Sequence, residues 1–490
     1  RTSKSLAERA FGIPRQLAAW HSENRWSYWG EFVAYAGLIG AAAGMRLWDL
    51  GSRALHHDES LHAYFSWELS RGGSFEHNPM MHGPFQFHAN AALFYLFGAT
   101  DFTARILYVI AGVVIVTVPY LLRYRLGRIG ALSAATMLAF SPSMLYFSRF
   151  ARNDILVALL SLTLIAFMWR YLDSGKNRYI YGSAGLLALS FSSKENAYLL
   201  TGILSLFLIF LVSRNAWDGI RSRLGRWRLY GAPPGIVCAR ILKTGWSELL
   251  GAGVVSKTSR PASYLVILGT LTLPLWSAFT GLLQPYFAGL VLVSESGPHI
   301  GMPLGYGVIV AISVVVLLAI LAVYVGWRWH WRVWWRAALI FYIIFIAFHT
   351  TFFTNCSDIV TPEGINHCFG GFGSGFWQGL GYWIVQQGEA RGNQPAYYYF
   401  LVTSIYEFLP LLLSGLAAIY YWRRSDSFGR FLVYWSLSSF ILYTIASEKM
   451  PWLLVSIALP LILLAAKFLG DLVGRLQYKE LRSPFALSVS

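Results

Sequence analysis

Residues 304–326, "LGYGVIVAISVVVLLAILAVYVG", form an apolar stretch of 23 residues without a charged side chain. A helix of about 20 such residues is long enough to cross the hydrocarbon core of a bilayer. Comparable stretches recur along the 490-residue chain, which is 56% apolar, 17% aromatic and only 13% charged. The sequence therefore predicts an all-α polytopic membrane protein rather than a soluble domain with one anchor.

The apolar stretches predict twelve membrane spans, several of them near the lower length limit. They lie near residues 28–48, 103–122, 130–148, 155–172, 179–193, 197–213, 263–279, 304–326, 337–354, 397–421, 431–446 and 452–469. The stretch 85–98 is too short to cross and predicts a helix lying at the membrane surface.

The distribution of basic residues predicts the orientation. The N-terminal segment 1–27 is basic and mildly amphipathic and lacks the pattern of a signal peptide, so we expect it on the cytoplasmic side. The transmembrane domain then covers 28–469, and the tail 470–490 is cytoplasmic, which fits a multi-pass protein of the plasma membrane. The net charge of +16 follows from this topology and from the basic inner loop 214–262, which suits anionic lipids; no nucleic-acid partner is expected.

Three long segments fall on the opposite, extracytoplasmic side: 49–102, 280–303 and 355–396. Loops of this length commonly carry function. The last one contains Cys356 and Cys368 on the oxidising face, where a disulfide and two free thiols are both open.

Short charged turns interrupt the apolar pattern on the same predicted face. They contribute Asp58, Glu59, Arg152, Asp154, Lys194, Glu448 and Lys449. Charges between apolar helices are costly unless they are paired, so we expect these turns to meet in one cavity.

The residue types in these turns indicate acid–base chemistry beside an anion. Asp58 suits removal of a proton from an incoming hydroxyl or amine. Arg152, Lys194 and Lys449 suit a phosphate, and a lipid phosphate would lie at this depth with its tail in the bilayer. The pattern favours transfer of a group from a lipid-linked phosphate donor.

Five longer strings carry a resemblance to a known family: "HHDESLHAYFSWEL" (56–69), "MMHGPFQFHANAALFYLFG" (80–98), "SPSMLYFSRFARNDI" (141–155), "GYWIVQQGEARGNQPAYYYF" (381–400) and "EKMPWLLVSIALP" (448–460). The chain resembles the C-type (GT-C) membrane glycosyltransferases of the protein O-mannosyltransferase and aminoarabinose transferase superfamily. Within them it is most similar to the flippase-activity-associated glycosyltransferase-like branch. Two positions depart from the pattern: His82-Gly83-Pro84 replaces a two-proline turn, and Ser456 stands where the closer branch has a histidine.

The resemblance implies a GT-C-like fold and an inverting glycosyltransferase that takes hexosyl or pentosyl groups from a polyprenyl-phosphate-linked donor on the extracytoplasmic face. It implies catalytic roles for Asp58, Glu59 and Asp154, with Asp58 as the base. From their charge and position, we expect binding of the lipid phosphate or sugar by His82, Arg152, Lys194, Glu448, Lys449, Gln387 and Arg391. The acceptor, a protein, lipid or glycan, stays open.

Structural explanations compete with each of these roles. Asp58 and Glu59 could cap a surface helix, and Arg152 and Asp154 could form a plain ion pair at a helix end. Lys194 could reach the lipid headgroups, and the loop with Gln387 and Arg391 could be an aromatic interface belt. At the level of function, the alternatives are a flippase for a lipid-linked sugar and a non-catalytic membrane subunit with the same fold.

Histidines crowd the first outer loop, with His57, His62 and His82 as candidate ligands of a divalent metal ion. Their spacing matches no regular ligand pattern, so a metal site and ordinary hydrogen bonding at the interface are both open.

Overall fold

The computed structural model describes residues 25–224, 259–297, 299–354, 367–388 and 393–480. These residues are helical apart from loops and one isolated bridge between Val291 and Leu304, which confirms the all-α class for this part of the chain. Much of the N-terminal segment 1–27, of the basic loop 214–262 and of the tail 470–490 lies outside the described residues, as do Cys356 and Arg391.

Seventeen α-helices cover the described residues. They are α1 Arg25–Leu47, α2 His57–Ser70, α3 Phe85–Phe97, α4 Asp101–Thr117, α5 Arg123–Phe140, α6 Pro142–Phe147, α7 Asp154–Ser174, α8 Arg178–Phe191, α9 Asn196–Leu224, α10 Arg260–Thr272, α11 Tyr306–His349, α12 His367–Gly373, α13 Gly379–Gln386, α14 Tyr398–Tyr406, α15 Phe408–Trp422, α16 Ser427–Ile445 and α17 Leu454–Glu480.

Several of these helices begin where the local sequence supplies a cap. Thr100 and Thr103 exchange hydrogen bonds of 2.8 and 3.1 Å in a capping box that opens α4. Ser141 caps α6 just before Pro142, and Asp426 accepts a 3.0 Å bond from the Phe428 N–H at the start of α16. Short polar turns thus end one apolar helix and start the next.

Six helical stretches in the described residues are long and apolar enough to cross a membrane, or seven if one bent pair counts as a span. Two of the six, Asp101–Phe140 and Tyr306–His349, each overlap two of the predicted spans, and the backbone leaves helical geometry inside them at Gly127 and His330. The other predicted spans also fall on helices, but α1, α8 and α16 do not meet this criterion. The count of twelve therefore stays a prediction.

The bent pair is α14 and α15, whose axes turn by 108° at Glu407. Glu407 is buried, and one of its carboxylate oxygens accepts hydrogen bonds from the Ser141 hydroxyl and from the hydroxyl and backbone N–H of Ser143. A carboxylate in this setting needs such donors because the surroundings are apolar. This contact ties the bend to the start of α6.

The chain divides into two compact units. The first contains Arg1–Leu61, Phe97–Leu162 and Ala390–Ser490, and the second contains His62–Leu96 and Thr163–Glu389. In the first unit α17 packs against α5, α15 and α16, and α1 packs against α4 and α5. In the second unit α11 packs against α8 and α10, and α9 packs against α10.

Arg46, fully buried at the end of α1, joins two helices of the first unit. Its guanidinium donates to the carbonyls of Leu138 and Ala139, both at 3.1 Å, in the last turn of α5. These carbonyls lack partners within their own helix, and a cation at a helix C-terminus is electrostatically favourable. Arg46 therefore acts as the C-terminal cap of α5.

The contact of α5 with α17 depends on two glycines. A Cβ on Gly470 would lie 2.7 Å from the Gly130 backbone nitrogen and 2.8 Å from its Cα. Small residues at such crossings allow membrane helices to approach at backbone distance. Gly474, one turn further on, has open space: a Cβ there meets no atom of the described residues within 4 Å.

We predict that Gly470→Ala destabilises the protein whereas Gly474→Ala does not. The added methyl at position 470 pushes two backbones apart, which costs about 1–3 kcal/mol. At position 474 the same change gains helix propensity of up to about 1 kcal/mol. Thermal unfolding of both variants in detergent measures the difference, and equal midpoints would contradict the close approach.

Candidate functional site

Glu59, in the first turn of α2, is a fully buried carboxylate that holds several segments of the first unit together. It accepts hydrogen bonds from Arg105 Nε (2.9 Å) and a second Arg105 nitrogen (3.0 Å), and from Arg53 (3.1 Å). The backbone N–H groups of His56 (3.0 Å) and Ala151 (2.8 Å) also donate to it. These five bonds connect the loop before α2, helix α4 and the residue that precedes Arg152.

Arg105 completes this network from α4. Besides Glu59, its guanidinium donates to the carbonyls of Leu50 (2.9 Å), Arg53 (2.8 Å) and Ala54 (3.2 Å). Burial alone raises the pKa of Glu59, but the Arg105 hydrogen bonds, the two backbone donors and the Arg105 charge outweigh it and lower the pKa below its ordinary value of 4.5. Glu59 is therefore ionised at neutral pH, and its surroundings give it a positioning role.

Asp58, Arg152 and Asp154 form the acid cluster, as we call these three residues. Arg152 donates to Asp58 through one guanidinium nitrogen and lies 3.3 Å from Asp154 through Nε. The Asp58 side chain is 25% exposed, whereas those of Arg152 and Asp154 are 7% and 1% exposed. The cluster therefore presents one accessible carboxylate that is backed by a buried cation and a second acid.

Residues from the end of α16 and from the segment before α17 lie beside the acid cluster. The Arg152 guanidinium lies over the ring of Trp452, 3.5 Å from the ring centroid. Tyr443, in the last turn of α16, hydrogen-bonds to Ser456 and lies near Asp154. Ser456, one of the two positions that depart from the family pattern, therefore contacts a residue next to the acid cluster rather than the cluster itself.

The His82-Gly83-Pro84 turn lies in the second unit against the turn that follows α8. The Gly83 N–H donates to the Ser193 carbonyl (3.1 Å), and the His82 ring is 2.9 Å from Glu195. A Cβ on Gly83 would collide with the Ser192 carbonyl, so only glycine fits here. His82 itself has φ of +66°, a strained conformation for a residue other than glycine.

The remaining predicted binding residues are placed as follows. Lys194 is buried in the second unit, in the same turn as Glu195. Lys449, in the first unit, donates to the Ala446 carbonyl at 3.1 Å beside part-exposed Glu448. Gln387 donates to the Trp383 carbonyl at 3.2 Å. The sequence predicted that the charged turns meet in one cavity. The structure brings Asp58, Arg152 and Asp154 together within the first unit. A common cavity for all the turns stays a prediction.

The histidines do not form a metal site in the described part of the chain, where no three His, Cys, Asp or Glu side chains are arranged to hold an ion. His57 is exposed, His62 packs on the ring of Phe87, and His82 faces Glu195. His77 is buried, bonded to Ser374 and packed on His349. Burial and the neighbouring His349 hold the pKa of His77 well below 6.5, so it is neutral at pH 7.

Sequence reasoning missed three contributors to this site: Arg105, Trp452 and Tyr443. Arg105 offered a signal, because it is a lone basic residue within the apolar run of α4. Trp452 lies in a string that carried the family resemblance but was given no role. Nothing in the sequence distinguished Tyr443 from the other aromatic residues of the spans.

We predict that Glu59→Gln lowers stability and changes its dependence on pH. Removing the charge from a buried ion pair costs about 3 kcal/mol or more. Because folding lowers the pKa of Glu59, its contribution is complete above about pH 4.5 and is lost as the pH falls through the lower folded-state value. Thermal unfolding between pH 7 and pH 3 should show a shallower acid loss in the variant.

Glu68→Gln is the matched control because Glu68 is a part-exposed acid on the same helix. An unchanged acid profile in Glu59→Gln, with Glu68→Gln behaving like the wild type, would contradict the positioning role of Glu59.

This chain was compared with protein families, with curated proteins and with solved structures. Matches were found among the families and the solved structures. A family model described as dolichyl-phosphate-mannose-protein mannosyltransferase matches residues 81–225, which are less than half of the chain. No curated protein matches significantly.

Solved structures match over almost the whole chain. The oligosaccharyltransferase AglB of Archaeoglobus fulgidus, in complex with an inhibitory peptide and a dolichol-phosphate, has a TM-score of 0.50 at 13% identity, covering 94% of this chain and 52% of its own. The apo form of the Archaeoglobus fulgidus enzyme gives 0.51 at 14% identity with the same coverage. ArnT of Cupriavidus metallidurans bound to undecaprenyl phosphate gives 0.34 at 17% identity, covering 89% and 77%.

The chain spans about half the length of the oligosaccharyltransferases, and at these identities the likeness is one of fold. Three observations point to the same kind of protein: the six apolar helices of spanning length, the family match and the fold. The chain is an integral membrane protein, and its predicted resemblance to the C-type membrane glycosyltransferases is confirmed.

Proposed function

We propose that the protein transfers a sugar from a polyprenyl-phosphate-linked donor to an acceptor on the extracytoplasmic face, with inversion at the sugar carbon. The fold and the family match over residues 81–225 support glycosyl transfer from a lipid-linked donor. The oligosaccharyltransferase with the same fold was solved with a dolichol-phosphate, which is the same chemical class of lipid. The sugar and the acceptor are not part of the proposal.

The observation that carries the proposal is the accessible carboxylate of Asp58. It is the exposed member of the acid cluster, and Arg152 fixes its orientation from the buried side. A base must be held within hydrogen-bond reach of the proton that it removes. The Glu59 network supplies this rigidity, because it holds the backbone at His56 and at Ala151 on either side of the ion pair.

The proposed reaction is a direct transfer of the sugar from the lipid phosphate to the acceptor. The acceptor hydroxyl or amine transfers its proton to Asp58 while its oxygen or nitrogen bonds to the anomeric carbon of the sugar. The bond from that carbon to the phosphate oxygen breaks on the opposite face, and the lipid leaves as a phosphomonoester. A single displacement of this kind inverts the configuration at the anomeric carbon.

The departing phosphate needs positive charge where its own charge develops. Arg152 is engaged by two carboxylates, so we assign it to positioning Asp58 rather than to binding the donor. Lys449 is the proposed phosphate ligand in the first unit. The binding roles expected for Lys194, His82, Glu448, Gln387 and Arg391 stay predictions from the sequence. Asp154 orients Arg152 from within the protein.

The proposed topology places both chain termini of the transmembrane domain in the cytoplasm and the acid cluster on the outer side. The basic residues that pair with Glu31 support it. Arg123 and Arg128 contact Glu31 at 2.7 and 3.0 Å. These residues lie at the end of the first unit that the distribution of basic residues assigns to the cytoplasm.

We predict that Asp58→Asn lowers the transfer rate by about 10²–10⁴-fold, as expected for loss of a general base. The assay incubates the purified chain with a radiolabelled polyprenyl-phosphate sugar and follows loss of sugar from the lipid. Donor binding should persist in the variant, because the amide keeps the shape of the carboxylate.

Asp101→Asn is the matched control, since Asp101 is an exposed acid of the first outer segment outside the acid cluster. Equal turnover by wild type and Asp58→Asn would remove Asp58 from the mechanism. Movement of labelled lipid between leaflets without bond cleavage would favour a flippase, and neither transfer nor movement would favour a non-catalytic subunit.

A further inference from the structure

A cavity of about 400 Å³ lies in the first unit at the end of α1 and the start of α6. Three arginines, Arg53, Arg105 and Arg149, line it together with Asp49, Leu50, Pro142, Leu145 and Tyr146. The acid cluster contributes no side chain to this lining. The cavity is therefore distinct from the acid cluster, although Arg53 and Arg105 also bind Glu59.

The charges around the cavity leave one positive charge in excess. Three guanidiniums face two carboxylates, the exposed Asp49 and the buried Glu59 that Arg105 neutralises. Arg53 is held by Glu59 at 3.1 Å through a single nitrogen. An anion entering the cavity would thus meet Arg53 and Arg149 at its open side and Arg105 behind them.

The two accessible arginines are held in place in ways that leave most of their N–H groups available. The Arg53 guanidinium lies over the rings of Tyr146 and Phe150, 5.7 and 5.4 Å from their centroids. Arg149 donates through one nitrogen to the carbonyls of Trp48 and Asp49. In the hydrogen bonds of the described residues, Arg53 and Arg149 each use one of their three nitrogens. Such preorganised guanidiniums suit a phosphate.

Apart from Asp49, the rest of the lining is apolar, and we place it at the level of the membrane interface. Leu50, Pro142, Leu145 and Tyr146 form one wall. Trp48, directly before the cavity, is 78% exposed at the end of α1, and tryptophans at helix ends typically lie at the headgroup level. A ligand that fills this cavity needs an anionic head beside an apolar segment.

We propose that this cavity binds the phosphate of an anionic membrane lipid, with the phosphate between Arg53 and Arg149 and the first part of the lipid tail against Pro142 and Leu145. A lipid phosphomonoester fits best, because its two ionisable oxygens match two guanidiniums. A free phosphate would share the charge but would leave the apolar wall uncovered. The site does not depend on the glycosyltransferase proposal, because its residues are outside the acid cluster.

The test compares lipid binding to Arg149→Gln and to the wild type. The full chain is purified in detergent and titrated with dioleoyl phosphatidic acid, with dioleoyl phosphatidylcholine as the zwitterionic lipid, and bound lipid is counted by native mass spectrometry. We expect the wild type to prefer phosphatidic acid and Arg149→Gln to bind it about tenfold more weakly. Arg149→Lys keeps the charge but not the fork of donors and should lie between them.

Arg71→Gln is the matched control, because Arg71 is an exposed arginine that stacks on Trp67 outside the cavity. Thermal unfolding of each variant checks that the fold is kept. Binding of phosphatidic acid by Arg149→Gln at the wild-type level, or an equal loss in Arg71→Gln, would overturn the proposal.

A further arm separates the two sources of phosphate. Inorganic phosphate at millimolar concentration should leave the bound phosphatidic acid in place if the apolar wall contributes. Complete displacement would assign the cavity to a free anion instead. Because every readout is lipid binding, failure of this site and failure of the transfer reaction are distinguishable.

Discussion

The buried ion pair of Glu59 and Arg105 is the interaction on which the arrangement of the first unit depends. A carboxylate with no exposed surface needs donors on every side, and Glu59 receives them from three stretches of chain that are far apart in sequence. The same two side chains therefore fix the loop before α2, the N-terminal part of α4 and the residue before Arg152. The acid cluster forms at this place because Glu59 holds the backbone at His56, before Asp58, and at Ala151, before Arg152.

Close backbone approach is the second constraint, and it acts in both units. Gly470 lets α17 lie against α5 at backbone distance, and Gly83 lets its turn hydrogen-bond to the turn after α8. In each case the missing side chain is what permits the contact. Polar groups then meet at the ends of these elements, as His82 and Glu195 do in the second unit. Glycines thus allow the close backbone contacts, and buried charges hold the functional side chains in position.

Sequence reasoning predicted the class of protein and the helices well, because apolar length is a direct physical requirement of the bilayer. It did not settle the number of spans. The stretches near 103–122 and 130–148 both overlap one helical run, Asp101–Phe140, in which Gly127 breaks the geometry, and a similar break occurs at His330. A hydropathy profile shows how apolar each window is. It does not show whether two neighbouring windows form two separate spans or one continuous helix.

For the site, the sequence by itself determined which residue types were available at the predicted outer face: Asp58, Glu59, Arg152 and Asp154 were identified from charge in an apolar context. Only the tertiary structure showed that Asp58 and Glu59 have different surroundings and therefore different roles. Adjacent residues of a helix point about 100° apart, so Asp58 faces Arg152 with a quarter of its side chain exposed while Glu59 turns inward to Arg105. That choice depends on the contact of Arg105 in α4 with Glu59, which is a long-range contact that no local pattern encodes.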